Sequence, residues 1–339
     1  MTRFLYPFRL CIASLAASLV AAPIITYAGD WKHITPENGL VGSAVQFVEE
    51  LDGAVWVGTL SGLAVFRNGQ TSAVVNGEAA WDVAPAGANR YWIGTDNGVL
   101  LLEGENTTRH LQGYSVGRLA NLGTDQMLAI GDQQAKTVLF RYADGKWDTV
   151  EELAYATPSD IFQNGDGTAW VILEANGIVK AQTETEPDKW EKHLEGINVI
   201  SFCYDQKQQI WCGTWGRGIM LYKAAKWENI LEDEDAAITT IKEDGNGHIW
   251  AATNANGVWE YDGNEWKNHL REEGIINVLE VPADGRVYVS SQSVCPLRVW
   301  TGDTWQTLVT APTMFRSIAI GPNGKLWAGN TLDALYVQP

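Results

Sequence analysis

Arg217 follows Trp215 by two residues in the stretch Ile210-Trp-Cys-Gly-Thr-Trp-Gly-Arg-Gly218. Asn254 and Asn256 hold the corresponding places in a second version of the phrase that opens at Ile249, and Arg316 lies in the segment Met314-Phe315-Arg316. These residue types suit recognition better than bond-breaking. A guanidinium is a rigid planar fork for a carboxylate or sulfate. An indole offers a flat apolar face, and a side-chain amide both donates and accepts. Trp215, Arg217, Asn254, Asn256 and Arg316 therefore form the candidate ligand site, and its chemistry fits a small polar ligand such as a saccharide, above all an acidic one. Turn formation and surface decoration are the plain alternative for each of them. Arg217 carries the most information, because other copies of the phrase place Ser61, Asn97, Asn176 or Asn256 at its position.

Residues able to drive a reaction are sparse. Of the five histidines, His33, His193 and His269 recur two or three residues after a tryptophan, so the repeat explains them. His110 and His248 stand apart, and no Ser/His/Asp order, paired histidine ligands or phosphate loop is present. The Asp-Gly and Asn-Gly turns lack the alternating acids of a calcium loop. No metal, no cofactor and no catalytic residue is expected, and the protein reads as non-enzymatic.

Those side chains hang on a repeated unit. Trp56, Trp92, Leu128, Trp170, Trp211, Trp250, Tyr288 and Trp327 head eight copies spaced 36 to 42 residues apart. Such a period marks an array of one supersecondary unit. Each copy reads as an apolar strand, a tight Gly/Asn turn, the aromatic strand, a Gly-rich corner, a third strand and a fourth that opens with another tryptophan. Four short antiparallel strands per 40 residues describe a propeller blade. The eighth copy stops after three strands, whereas the segment Gly29-Asp-Trp-Lys-His-Ile34 resembles an isolated fourth strand. The expected fold is thus all-β: an eight-bladed β-propeller of four-stranded antiparallel blades, the last closed by the N-terminal strand.

The ends and the charge set the context. Residues 1–28 carry Arg3 and Arg9, then an apolar run, then small residues before Ala28, which is the pattern of a cleaved secretory signal. Residues 29–339 form the single propeller domain, expected in the periplasm or secreted, with no membrane span after signal cleavage. The whole chain has 24 basic and 41 acidic side chains, a formal charge of −17. Loss of Arg3 and Arg9 would leave 22 against 41, or −19. Phosphate backbones would be repelled, so nucleic acid is not an expected partner. Cys203, Cys212 and Cys295 remain after cleavage. A turn centred near Gln206-Lys207 would pair Cys203 with Ile210 and Cys212 with Ser201, making the thiols diagonal neighbours on one face; free thiols are expected.

The phrases "IWCGTWGRGIMLY", "VWVGTLSGLAVF" and "YWIGTDNGVLLL" resemble the two-component-regulator propeller repeat, with Trp211, Gly213, Thr214 and Gly218 on its fixed positions. The resemblance covers roughly residues 31–339, strongest in copies one, two, five and six. It implies a sensory propeller outside the cytoplasm, here standing alone without a kinase. The expected role is ligand binding or sensing by a monomer, the partner being a small polar ligand or a protein. The alternatives are a periplasmic protein-interaction scaffold and a lyase-like enzyme. A deep Arg- and Trp-lined pocket would mark the first, a broad shallow face the second, and central carboxyls of raised pKa the third.

Overall fold

Each copy of the repeat folds into one four-stranded antiparallel sheet, and eight sheets form a closed ring. Residues 45–76, 80–110, 115–149, 158–193, 199–231, 238–269 and 276–310 are blades one to seven. Blade eight is residues 315–337 completed by Lys32–Ile34. The computed structural model describes residues 31–338 except 124, 164–167, 182–189, 233–236, 283, 293–295, 312, 313 and 333. Residues 1–28, Cys11 and Cys295 lie outside the described residues.

Every fixed position of the repeat has a steric or hydrogen-bonding cause. The glycine after the tryptophan lies where the next blade comes closest. A Cβ on Gly94 would stand 2.6 Å from the Val116 carbonyl oxygen, and one on Gly213 would meet the Ile238 carbonyl at 2.6 Å. The following threonine is buried and closes the corner, its hydroxyl donating to the carbonyl three or four residues on. Thr59 reaches Gly62, Thr95 reaches Gly98, Thr214 reaches Gly218 and Thr253 reaches Gly257, all at 2.8–3.0 Å. The last glycine adopts positive φ, for example 68° at Gly218 and 72° at Gly257, which costs glycine least.

The tryptophan packs between sheets. The Trp56 ring lies 4.4 Å from Tyr91 of blade two, Trp211 lies 5.8 Å from Tyr261 of blade six, and Trp250 lies 5.7 Å from both Trp300 and Trp305 of blade seven. In blades five and six a buried aspartate holds the indole. Asp244 accepts from Trp250 Nε1 at 3.0 Å and from the main-chain N–H of Asn246 and His248. Asp205 does the same for Trp211, Lys207 and Gln209. One carboxylate thus sets both the inner turn and the tryptophan. Asp244→Ala strands a buried indole N–H and two turn amides, and should cost about 1.5–3 kcal/mol, the value of a hydrogen bond to a charged group. A denaturation midpoint equal to wild type would exclude this role.

The ring closes as the missing strand required. Lys32, His33 and Ile34 pair with Val337, Tyr336 and Leu335. Trp31 is buried in the cluster that holds Phe315, Ile318 and Tyr336, and the His33 ring lies 4.4 Å from Tyr336.

The cysteine register differs from the expected one. Cys203 lies opposite Trp211 and Cys212 opposite Phe202. The Asp205-bound turn sets the strands one residue further apart than a turn centred on Gln206-Lys207 would. The thiols therefore point to opposite faces of blade five, Cys212 into the cluster with Trp170 and Phe202, Cys203 against the one with Trp211 and Ile241. Both are free. Burial pushes the Cys203 thiol up to about 11 and also raises Cys212.

Candidate functional site

Alternating strand direction puts the corners between second and third strands, and the loops that join blades, on one face of the ring. Trp215 and Arg217 occupy the corner of blade five, Asn254 and Asn256 that of blade six. The main chain of Trp215 is fixed by its N–H to the Asn198 carbonyl at 2.8 Å and a bridge to Ala237, while the residue as a whole is 50% exposed. Arg217 is exposed, and its carbonyl accepts from Asn229 Nδ2 at 3.1 Å. The asparagines are more occupied. Asn254 Oδ1 accepts the Ala237 N–H at 2.8 Å, pinning the loop into blade six. The Asn256 N–H donates to Thr253 Oγ1 at 2.7 Å, and its carbonyl accepts from Asn268 Nδ2. The fold thus brings these four residues to one rim, with Trp215 and Arg217 presented and the asparagines tied into the corner. Arg316 is placed elsewhere. It belongs to the inner strand Phe315–Ile320 rather than to a loop between blades.

The same face holds a feature that the repeat alone did not reveal. Among the described residues the exposed large apolar side chains are Leu60, Tyr155, Trp215, Ile275 and Leu332, between 41 and 65% exposed. Leu60, Trp215 and Leu332 are corner residues of blades one, five and eight; Tyr155 and Ile275 sit in the loops entering blades four and seven. None lies on the opposite face. A leucine where other copies put Asp96 or Asn254 was the available signal.

The inner strands bring charges to the axis. Arg118 Nε meets Asp160 at 2.9 Å, and Lys242 Nζ meets Glu280 at 3.1 Å, each pair joining consecutive blades. Asp82 accepts the N–H of Val83 at 2.9 Å and, across the junction, that of Leu119 at 2.8 Å. Ser201 donates to the Ile238 carbonyl, and Ser317 bonds the main chain of Val48. Neighbouring inner strands share no main-chain ladder, so these side chains stitch them together. Lys242 and Glu280 are 40 and 36% exposed although the ring surrounds them, because they border an axial channel. Burial, then Arg118, lowers the pKa of Arg316.

Between blades one and four, near the end where first strands turn into second strands, the channel widens into a cavity of about 440 Å³. Glu49, Asp82, Leu119, Asn121, Ile161 and Gln163 contribute to its wall. Asn121 is occupied with the Pro85 carbonyl and the Gly123 N–H. Burial, reinforced by Asp82 and Glu280, pushes the Glu49 carboxyl up to about 8. Burial also raises Asp82, to about 6, against the lowering pull of Arg118.

No histidine stands on an inner strand. His193 packs against Trp170, Tyr222 and Trp227, and His269 against Trp250, Trp300 and Trp305, on outer strands. Burial lowers the pKa of His110 and His193. Glu260 lies 2.8 Å from both His248 and His269 and accounts for the former.

No protein-family model matches the chain, and no curated protein matches it. Among solved structures it is similar to the Dos1 propeller, with a TM-score of 0.67 and 12% identity over 92% of this chain and 95% of that one. It is also similar to the extracellular domain of BT4673 from B. thetaiotaomicron, assigned as a one component system. There the TM-score is 0.56 and the identity 16%, over 88% of this chain and 51% of that one, so the chain spans about half of that domain's length. A third likeness is to YCF48 bound to D1 peptide, with a TM-score of 0.56 and 14% identity over 76% and 90%. At these identities the likeness is one of fold. The resemblance read from the repeat holds at that level, since the extracellular domain of a one component system is among the structures matched.

Proposed function

We propose that this protein is an exported binding propeller of the sensing or interaction type that works through the face of corners and inter-blade loops. The observation that carries this reading is that the exposed large apolar side chains among the described residues gather on that face, where water contact is costly unless a partner covers them. The leader at residues 1–28 and the acidic surface fit a role in the periplasm or outside the cell. Among the described residues no helix is long and apolar enough to cross a membrane.

Exposed Trp215 beside exposed Arg217 favours a second reading, a polar or acidic saccharide held at blades five and six. A thermal-shift screen of residues 29–339 against uronic acids and their oligomers tests it, since ligand binding to the folded state raises stability. Arg217→Ala should leave Tm within about 1–2 °C and weaken such a ligand by about 1.5–3 kcal/mol. Equal affinity in Arg217→Ala and Trp215→Ala would move the ligand off this rim.

The raised carboxyls of Glu49 and Asp82 are one mark of a lyase-like centre. The rest of the arrangement argues for a structural origin. Asp82 has its two oxygens bound to main-chain N–H groups, and no inner-strand histidine stands beside the pair as a proton partner.

A further inference from the structure

Four of the five apolar residues are pinned through their main chain. The Leu60 N–H is bound to the Ala44 carbonyl at 3.1 Å, that of Trp215 to Asn198 at 2.8 Å, and that of Leu332 to Asn330 Oδ1 at 3.0 Å; the Ile275 carbonyl accepts from Gln292 at 3.0 Å. The five come from blades one, four, five, seven and eight, so they span much of the ring. A saccharide covers one or two corners. A surface that reaches most of the ring has the scale of a protein partner, about 800 Å² a side.

The charge around them is mostly negative. On the same loops and corners Glu37, Asp96, Glu151, Glu152, Glu195, Glu232 and Glu272 are exposed, against the exposed bases Lys136, Lys192, Arg217 and Arg271. With a whole-chain charge of −17, two copies meeting face to face would repel. Tyr155 already shows what the face accepts, because Lys192 Nζ stands 4.5 Å over its ring, a cation–π contact.

We infer that this face docks a protein segment that carries lysine or arginine among exposed apolar side chains. The inference rests on the loop face being the working surface. Partner apolar groups would cover Leu60, Trp215 and Leu332, while its cations meet the glutamates around them and, as Lys192 does, the aromatic rings. Attraction of this kind speeds encounter and weakens with salt.

The test uses the whole exported chain and three short fluorescent peptides, alternating Lys/Leu, Lys/Ser and Glu/Leu, titrated by anisotropy. Lys/Leu should bind at least tenfold more tightly than either of the others, and more weakly as salt rises. The triple variant Leu60→Ser, Trp215→Ser, Leu332→Ser should lose at least tenfold, whereas Glu105→Gln with Asp303→Asn, on the opposite face, should lose less than twofold. Unchanged Tm shows that both variants fold. Equal binding of Glu/Leu, lost in the triple variant, overturns the cationic partner and leaves the face as working surface. Full binding of Lys/Leu by the triple variant overturns the face itself. Binding of none of the peptides overturns the partner class, and a wild-type dimer that the triple variant abolishes makes the occupant a second copy.

Discussion

Removal of residues 29–36 should lower the stability of the propeller by about 3–5 kcal/mol, the cost of losing one large buried aromatic, and add the cost of an open sheet edge. The strand Lys32–Ile34 completes blade eight by pairing with Leu335–Val337. Trp31 sits in the core cluster of blades seven and eight. Without them Leu335–Val337 becomes an edge with unpaired N–H and carbonyl groups, a template for aggregation. The ring joins its first and last strands by hydrogen bonds and side-chain packing, without a covalent link between them, so loss of the clasp should also speed unfolding. Guanidinium denaturation separates the terms: Trp31→Ala reports the packing, and the further loss on truncation reports the edge. A truncated chain with the wild-type midpoint would show that the ring does not depend on this closure.

That clasp was readable because absence is visible in a periodic sequence: seven copies have a fourth strand and the eighth does not. The same periodicity made the blade count and the Trp-Gly-Thr-Gly roles legible. What it could not reveal is whatever distinguishes one blade from another. The axial stitches Arg118–Asp160 and Lys242–Glu280 fall on inner strands at positions filled elsewhere by Phe47 and Ser201, or by Cys203 and Ala319. Only the ring geometry shows that they meet. The same holds for Arg316, whose place in the segment Met314-Phe315-Arg316 did not by itself show that it stands on an inner strand. The Cys203–Cys212 register failed for a local reason, since a turn wrapped around the Asp205 carboxylate is one residue wider than a tight hairpin. On the loop face, Trp215 stood out because tryptophan is conspicuous. Leu60 and Leu332 read as ordinary apolar residues until their exposure was known.

Glu49→Gln should stabilise the protein above neutral pH, with an effect that grows as pH rises. The Glu49 carboxyl is pushed up to about 8, first by burial and then by Asp82 and Glu280. In the unfolded chain it titrates near the ordinary glutamate value of about 4.3. Below that value both states hold the proton and Glu49 has no pH-dependent effect. Between there and about 8 the folded chain keeps a proton that the unfolded chain has released, so stability falls as pH rises. Above 8 the full penalty is present and the slope vanishes. Each unit of displacement is worth about 1.4 kcal/mol, so the penalty amounts to several kcal/mol. Asp82, raised to about 6, adds a smaller loss in the acidic part of the same range. Glutamine keeps the neutral shape of the protonated acid, so Tm measured from pH 5 to pH 9 should decline for wild type and stay flatter for the variant. The two curves should meet near pH 5 and lie several degrees apart at pH 9. Parallel curves would mean that Glu49 ionises in the fold at its ordinary pKa and that water in the channel solvates it fully. Divergence would identify a carboxyl that strains the ring at the junction of blades one and two, where no stitch of the Arg118–Asp160 kind offsets it.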